Sequence, residues 1–165
     1  MKITGFTLIE LLTTVAVGAI LLGIAVPNFT SFIDNSRARS DVQALKQSLV
    51  AAKSEAVART SIVNVTATDG DWSKGWRSWV DLNADGTLDD NEVIKKVAGI
   101  KSGAALSASQ SGSTITAFSF DANGFVLGAV PVSISYRTSP EHCSRDRDIQ
   151  VSASGQVRTT ERNCS

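Results

Sequence analysis

The sequence predicts an α+β fold: one long N-terminal helix, with a membrane anchor in its first half, packed on an antiparallel β-sheet head. Three observations carry that expectation. Residues 5–29, GFTLIELLTTVAVGAILLGIAVPNF, form an apolar run interrupted by one carboxylate, Glu10. Beyond it Val42, Leu45, Leu49, Ala52 and Ala56 recur at helical spacing, with Lys46, Gln47, Lys53 and Arg59 off that stripe. From residue 62 onward, short runs of alternating or β-branched residues are separated by Gly, Asn, Asp and Ser.

The first element is the apolar run. Its charged start, MKITG, leads directly into the apolar stretch, and no A-x-A-like site ends it before Pro27. It therefore reads as a retained anchor and not as a cleaved signal peptide. From Phe6 to Phe29 there are 24 residues, against the ~20 that span a hydrocarbon core. A carboxylate at the centre of such a helix costs about 2.5–3.5 kcal/mol, less near an end, and marks a functional position. Pro27 has no amide hydrogen to donate, so a kink or local melting is expected near residues 24–28. The amphipathic stripe then continues the helix onto the head.

In the head, strands are expected at 62–68, 76–82, 93–97, 115–120, 125–129, 132–136, 149–151 and 156–159. DANG at 121–124 and ASG at 153–155 are turn signals. Residues 102–113, SGAALSASQSGS, are small and polar and read as a mobile loop. Trp72, Trp76 and Trp79 are expected in the core or on a subunit contact surface. No internal repeat is visible.

Once the anchor is set aside, 165 residues leave about one small domain to fold in water. The formal net charge is zero, so nothing global suggests a polyanionic partner. His142 is the single histidine, and no groups converge as a catalytic site would require. A G-x-S-x-G context and a phosphate loop are both missing, so the chain does not read as an enzyme. Cys143 and Cys164 would pair in a chain that leaves the cytosol and stay reduced in one that does not.

GFTLIE at residues 5–10 resembles the prepilin leader of the type IV pilin and type II secretion pseudopilin family. That resemblance implies a leader at 1–5, a transmembrane and assembly helix at 6–29, and a helix continuation with a periplasmic β-rich head at 30–165. It implies that prepilin peptidase cuts after Gly5, that Phe6 becomes an N-methylated terminus, and that Glu10 faces a neighbouring subunit's terminal ammonium. The physics agrees with such a role. Cleavage frees an ammonium in an apolar setting, and an opposite charge offsets the desolvation of both groups. A carboxylate in the first turn also meets the favourable end of the helix dipole.

WSKGWRSWVDLNADGTLDDNEVI at 72–94, FDANG downstream and the C-terminal pattern C…IQVSASGQVR…C narrow the resemblance to the GspH/FimT/FimU branch of minor pilins and pseudopilins. The implied function is that of a FimU-like minor pilin in the tip and initiation complex of a type IV pilus, serving twitching motility and adhesion. The alternatives are a GspH-like minor pseudopilin for protein secretion and a FimT-like DNA-binding minor pilin for transformation. The implied partners are other minor and major pilins or pseudopilins, prepilin peptidase and the inner membrane. The implied location is the inner membrane, single-pass with the head in the periplasm, and then a filament tip.

Two side readings remain. Asp81, Asn83, Asp85, Gly86, Asp89 and Glu92 fit the calcium-loop spacing D-x-N-x-D-G-x5-E, whose hard oxygen ligands suit calcium. However, β-compatible sequence rather than a helix leads into them, and hairpin turns favour the same residues. A plain hairpin is the expectation, with calcium as the alternative and no other cofactor. DNA-binding relatives carry a C-terminal G-R-x-R pattern. Here GQVRTTER puts Gln156 at the first arginine and leaves Arg158 and Arg162. From Arg137 to the end, five arginines face four acids, which supports weak phosphate binding at most.

Overall fold

The computed structural model describes residues 5–164; within the helix, the side chains of residues 24–28 lie outside that description. The first element, α1 (Leu8–Arg59), is a 52-residue helix. Thr7 caps its start, taking the Glu10 amide on both its hydroxyl and its carbonyl oxygen. At its end the Ser61 amide donates back to the Ala56 carbonyl while Thr60 turns to φ 50, closing the last turn. The assignment is unbroken across Pro27, so no melting interrupts it. The kink expected at 24–28 falls on side chains outside those described.

The chain divides into two compact units, Met1–Ser36 and Arg37–Ser165. In the first, the described side chains of α1 are largely exposed and apolar. In the second, the rest of α1 packs against two antiparallel sheets. One contains β1 (Val63–Thr68), β2 (Asp71–Trp79), β3 (Val93–Ala98) and β6 (Ala117–Phe120), in the order β3-β2-β1-β6. The other contains β4 (Ala105–Gln110), β5 (Ser113–Ile115), β7 (Val132–Arg137), β8 (Arg147–Val151) and β9 (Val157–Glu161), in the order β5-β4-β7-β8-β9.

The helical stripe is what the sheets cover: Val42, Leu45, Leu49, Ala52 and Ala56 are all buried, against Trp76, Phe120, Tyr136 and Ile149 among others. Polar ties fix how the helix sits within this unit. Trp76 Nε1 donates to Ser48 Oγ at 2.8 Å in the core, and Lys53 Nζ donates to the Ser154 carbonyl. The Tyr136 hydroxyl lies between Ser102 Oγ at 2.7 Å and Asp41 Oδ2 at 3.3 Å. Burial pushes its pKa up to about 12, and the nearby Asp41 charge adds to that.

Several expectations need correction. Residues 102–113 are not a mobile loop, because β4 runs through them. Alanine and serine carry weak β propensity, but here the tertiary setting decides. β4 pairs with β7 from Ala105↔Arg137 to Gln110↔Val132 and turns Leu106 and Ala108 into the core. Its first half lacks a partner on the β5 side, and there the Leu106 amide donates instead to Ser73 Oγ of β2, stitching the sheets together. The strand expected at 76–82 begins five residues earlier, at Asp71, and ends at Trp79. Gly75 sits inside it at φ +112, where an added Cβ would stand 2.3 Å from the Val97 carbonyl oxygen of β3. Residues 125–129 form no strand. A single bridge, Phe120↔Val126, precedes a 3-10 turn at Leu127–Ala129, where Gly128 and Ala129 have positive φ.

Candidate functional site

At the N-terminus, Gly5, Phe6 and Thr7 precede the helix, with open space around the Gly5 α-carbon. Phe6 is 80% exposed, and Leu8, Ile9, Leu11, Leu12 and Val15 behind it are exposed as well. Glu10 lies exposed in the first turn, where the unpaired amides of the helix end favour negative charge. The surface that an aqueous protein would bury is here turned outward around one carboxylate. Among the described residues no helix is long and apolar enough to cross a membrane. The described side chains of the run stop at Gly23 and resume at Phe29.

The acidic residues 81–92 do come together in one loop, between β2 and β3, but their oxygens serve the loop itself. Asp81 Oδ2 accepts the Gly86 amide, and Asn83 Oδ1 accepts the Asp85 amide. Asp85 Oδ1 accepts both the amide and the hydroxyl of Thr87, which lowers its pKa. Glu92, buried, takes the amides of Leu82 and Asp89 on its two oxygens. The Asn83 amide nitrogen reaches toward the carboxylates of Asp85 and Asp89. Among the described residues no group of three or more His, Cys, Asp or Glu side chains is arranged to hold a metal ion. The geometry is that of a hairpin loop held by its own side chains, with Asp81 Oδ1 buried and without a hydrogen-bond partner. The calcium reading of Asp81, Asn83, Asp85, Asp89 and Glu92 is therefore not carried by it.

The C-terminal candidates separate. A disulfide joins Cys143 to Cys164, with their α-carbons 6.2 Å apart. Beside it Asp146, fully buried, accepts from the Thr138 amide and hydroxyl and from Arg162 Nη1 at 2.8 Å. Burial alone would raise the Asp146 pKa. The hydrogen bonds from Thr138 and Arg162 outweigh it and hold the carboxyl below its ordinary range. Arg162 also pairs with Glu141, and the two carboxylates keep its guanidinium pKa raised. Arg162 is thus a structural clamp and not a free phosphate contact. Arg158 is exposed on β9, in register with Gln150 of β8. Of the two arginines read as a DNA-binding pair, Arg162 is engaged by two carboxylates and Arg158 is exposed. The Ser144 hydroxyl lies 3.0 Å from His142 Nδ1.

Sequence reasoning missed the Asp146–Arg162 clamp, because SRDRD at 144–148 looks like any solvated charged turn. It also left Trp79 undecided. Trp72 and Trp76 enter the core, whereas Trp79 is buried outside that cluster, with Nε1 donating to Thr66 Oγ1 at 3.0 Å.

The family model for the type II transport protein GspH matches residues 41–155, and the prokaryotic N-terminal methylation motif matches residues 1–26. No curated protein matches the chain. Among solved structures, the type IV minor pilin FimU of Pseudomonas aeruginosa is similar in fold, with a TM-score of 0.63 and 23% identity over 78% of this chain and 92% of that one. The minor pseudopilin EpsH of the type II secretion system of Vibrio cholerae gives a TM-score of 0.58 and 15% identity, over 79% of this chain and 98% of its own. A long capped helix with its apolar face turned outward, a stripe docked on two antiparallel sheets, and a family match over more than half of the sequence converge on one conclusion: the chain belongs to the GspH family of minor pilins and pseudopilins.

Proposed function

We propose that this member of the family is a FimU-like minor pilin, a non-enzymatic subunit of the tip and initiation complex of a type IV pilus. Family membership makes it a subunit of a type IV pilus or of a type II secretion system. The observation that carries the filament-subunit reading is the exposed apolar surface of α1 around Glu10, directly behind the Gly5–Phe6 bond; the fold similarity to FimU supports the choice of a type IV pilus. In this reading prepilin peptidase cuts that bond and Phe6 is methylated. The apolar run at 6–29 holds the subunit in the inner membrane, with residues 30–165 on the periplasmic side. On assembly, Glu10 pairs with the terminal ammonium of a neighbour, each charge relieving the desolvation of the other. A repeating head-to-tail contact needs two different surfaces on each subunit; the anchor helix and the head supply them. The match to the GspH model favours a second reading, a minor pseudopilin that serves protein secretion.

Glu10→Ala tests both. Piliation and twitching should fall under the first reading and secretion under the second, while the unfolding of the head is unchanged. Mass spectrometry should find a chain beginning at methylated Phe6 in cells with active prepilin peptidase. Normal piliation, motility and secretion in cells carrying Glu10→Ala would refute the assembly role.

A further inference from the structure

We propose that the Asp146–Arg162 pair is a template for the Cys143–Cys164 bridge: in the folded, reduced head it holds the two thiols together, so that the bridge closes after folding and closes again after reduction. The inference concerns the head alone and is the same for a pilin or a pseudopilin.

Neither cysteine lies in a strand or helix. Cys143 sits in the turn between β7 and β8, Cys164 lies beyond the end of β9, and both are exposed. At a sequence separation of 21, their closeness must come from what fixes the turn and the tail.

Asp146 fixes the turn. Its Oδ1 accepts the amide and the hydroxyl of Thr138, and that hydroxyl in turn accepts the His142 amide. The amides of Arg145 and Asp146 donate back to the His142 carbonyl. Arg162 fixes the tail. The β8–β9 ladder ends at Arg147↔Glu161, and the next side chain crosses back to the turn, where Arg162 Nη1 donates to Glu141 and, at 2.8 Å, to Asp146 Oδ2. Those two carboxylates flank Cys143, two residues before it and three after, and Arg162 stands two residues before Cys164. None of these hydrogen bonds uses a sulfur, so the reduced chain can make them all. Asp146 is fully buried, and a charge-assisted hydrogen bond to it is among the strong ones. The Arg162 carbonyl oxygen is brought to 3.7 Å from Cys143 Sγ.

The bridge forms in two exchange steps. A thiolate of the head attacks the disulfide of a donor, glutathione disulfide or an oxidising exchange protein, giving a mixed disulfide and releasing one donor thiolate. The second head thiolate attacks the head's own sulfur in that mixed disulfide, forming Cys143–Cys164 and releasing the other donor thiolate. Two electrons pass to the donor, and the two thiol protons end on its thiols. Only the second step depends on how near the head's sulfurs lie to each other, through their effective concentration. Arg162 is thus a positioning residue for the exchange.

The test equilibrates the folded full chain, in detergent, with mixtures of reduced and oxidised glutathione and counts free thiols by alkylation and mass spectrometry. The constant obtained is the effective concentration of the thiol pair. Arg162→Ala should lower it about tenfold, which is about 30 mV for a two-electron couple. Arg162→Lys, which keeps a charge for Asp146, should fall between. Ser48→Ala, which strands the Trp76 indole in the core, should lower the unfolding midpoint and leave the constant unchanged. In urea-unfolded chains, parent and Arg162→Ala should agree. An unchanged constant in Arg162→Ala, an equal fall in Ser48→Ala, or a difference that persists in urea would overturn the template. So would a raised constant, which would mean that the guanidinium acts by stabilising a thiolate, and so would a reduced parent that has unfolded. If Arg162→Ala does not fold, Arg162→Lys and Glu141→Gln decide: both should lower the constant, and no change in either would overturn the proposal.

Discussion

Ser48→Ala should destabilise the head by far more than the loss of one small hydroxyl suggests. Ser48 sits on the buried side of α1, where its Oγ donates to the Leu45 carbonyl and accepts from Trp76 Nε1, both at 2.8 Å. Trp76 is 2% exposed, so water cannot replace the lost acceptor. An indole N–H left unsatisfied in the core costs about 1–3 kcal/mol, while the hydroxyl's bond back to its own helix contributes little. Taking about 2 kcal/mol at roughly 2–4 °C per kcal/mol for a chain of this size, the midpoint should drop by about 4–8 °C. The assay is urea and thermal unfolding of the full chain in detergent, followed by tryptophan fluorescence. The decisive control is a double-mutant cycle with Trp76→Phe, which has no N–H to strand. In that background Ser48→Ala should cost less than about 0.5 kcal/mol, apart from any cavity it leaves. Equal costs in the two backgrounds would refute the idea that this hydrogen bond ties helix to sheet.

Cys164→Ser should lower stability by about 3 kcal/mol on the chain-entropy estimate, and a parent midpoint insensitive to reductant would contradict it. Asp146 has a folded-state pKa below its unfolded value, so the stability it contributes is present above about pH 4 and is lost as pH falls through the folded pKa; Asp146→Asn should flatten the acid limb of the stability curve, and an unchanged limb would refute the assignment. Arg162→Ala should likewise destabilise the head, whereas exposed Arg158→Ala should not; equal effects would remove the clamp from Arg162. Millimolar calcium should leave the parent's midpoint unchanged, because Asp81, Asp85 and Glu92 each already turn a carboxylate oxygen to a backbone amide of the loop; a rise abolished by Glu92→Ala would reverse that expectation.

The helix was the most legible part of the fold, because a stripe at 3.6-residue spacing needs no knowledge of its partner. All five residues assigned to it are buried. Strands with β-branched alternation, such as β1 and β7, were legible for the same reason. β4 was not: ALSASQ has no β-branched residue, and it is a strand because β7 lies beside it. The arrangement as two sheets was equally hidden, since it depends on which strands pair across long sequence separations. At the candidate sites, spacing identified the acidic loop and the arginines, but not the direction of their oxygens and guanidinium groups. Whether a carboxylate faces a cation or an amide is decided by backbone turns, and Asx geometry satisfies the same D-x-N-x-D-G spacing that calcium would use.

The stitch between Ser73 and Leu106 has a kinetic consequence. The Leu106 amide belongs to β4 yet is bonded to a hydroxyl of the other sheet, and the Val126 amide, just past β6, is bonded to the Ala153 carbonyl beside β8. Neither proton is protected by a ladder within its own sheet. Solvent deuterium reaches them when the two sheets part, whether or not either sheet has frayed. Their exchange rates therefore time the separation of the sheets, and ladder amides such as those of β7 time the melting of a single one. Matching rates for the two classes would mean that the head opens as one cooperative body; faster exchange at Leu106 and Val126 would mean that the sheets come apart while each remains intact.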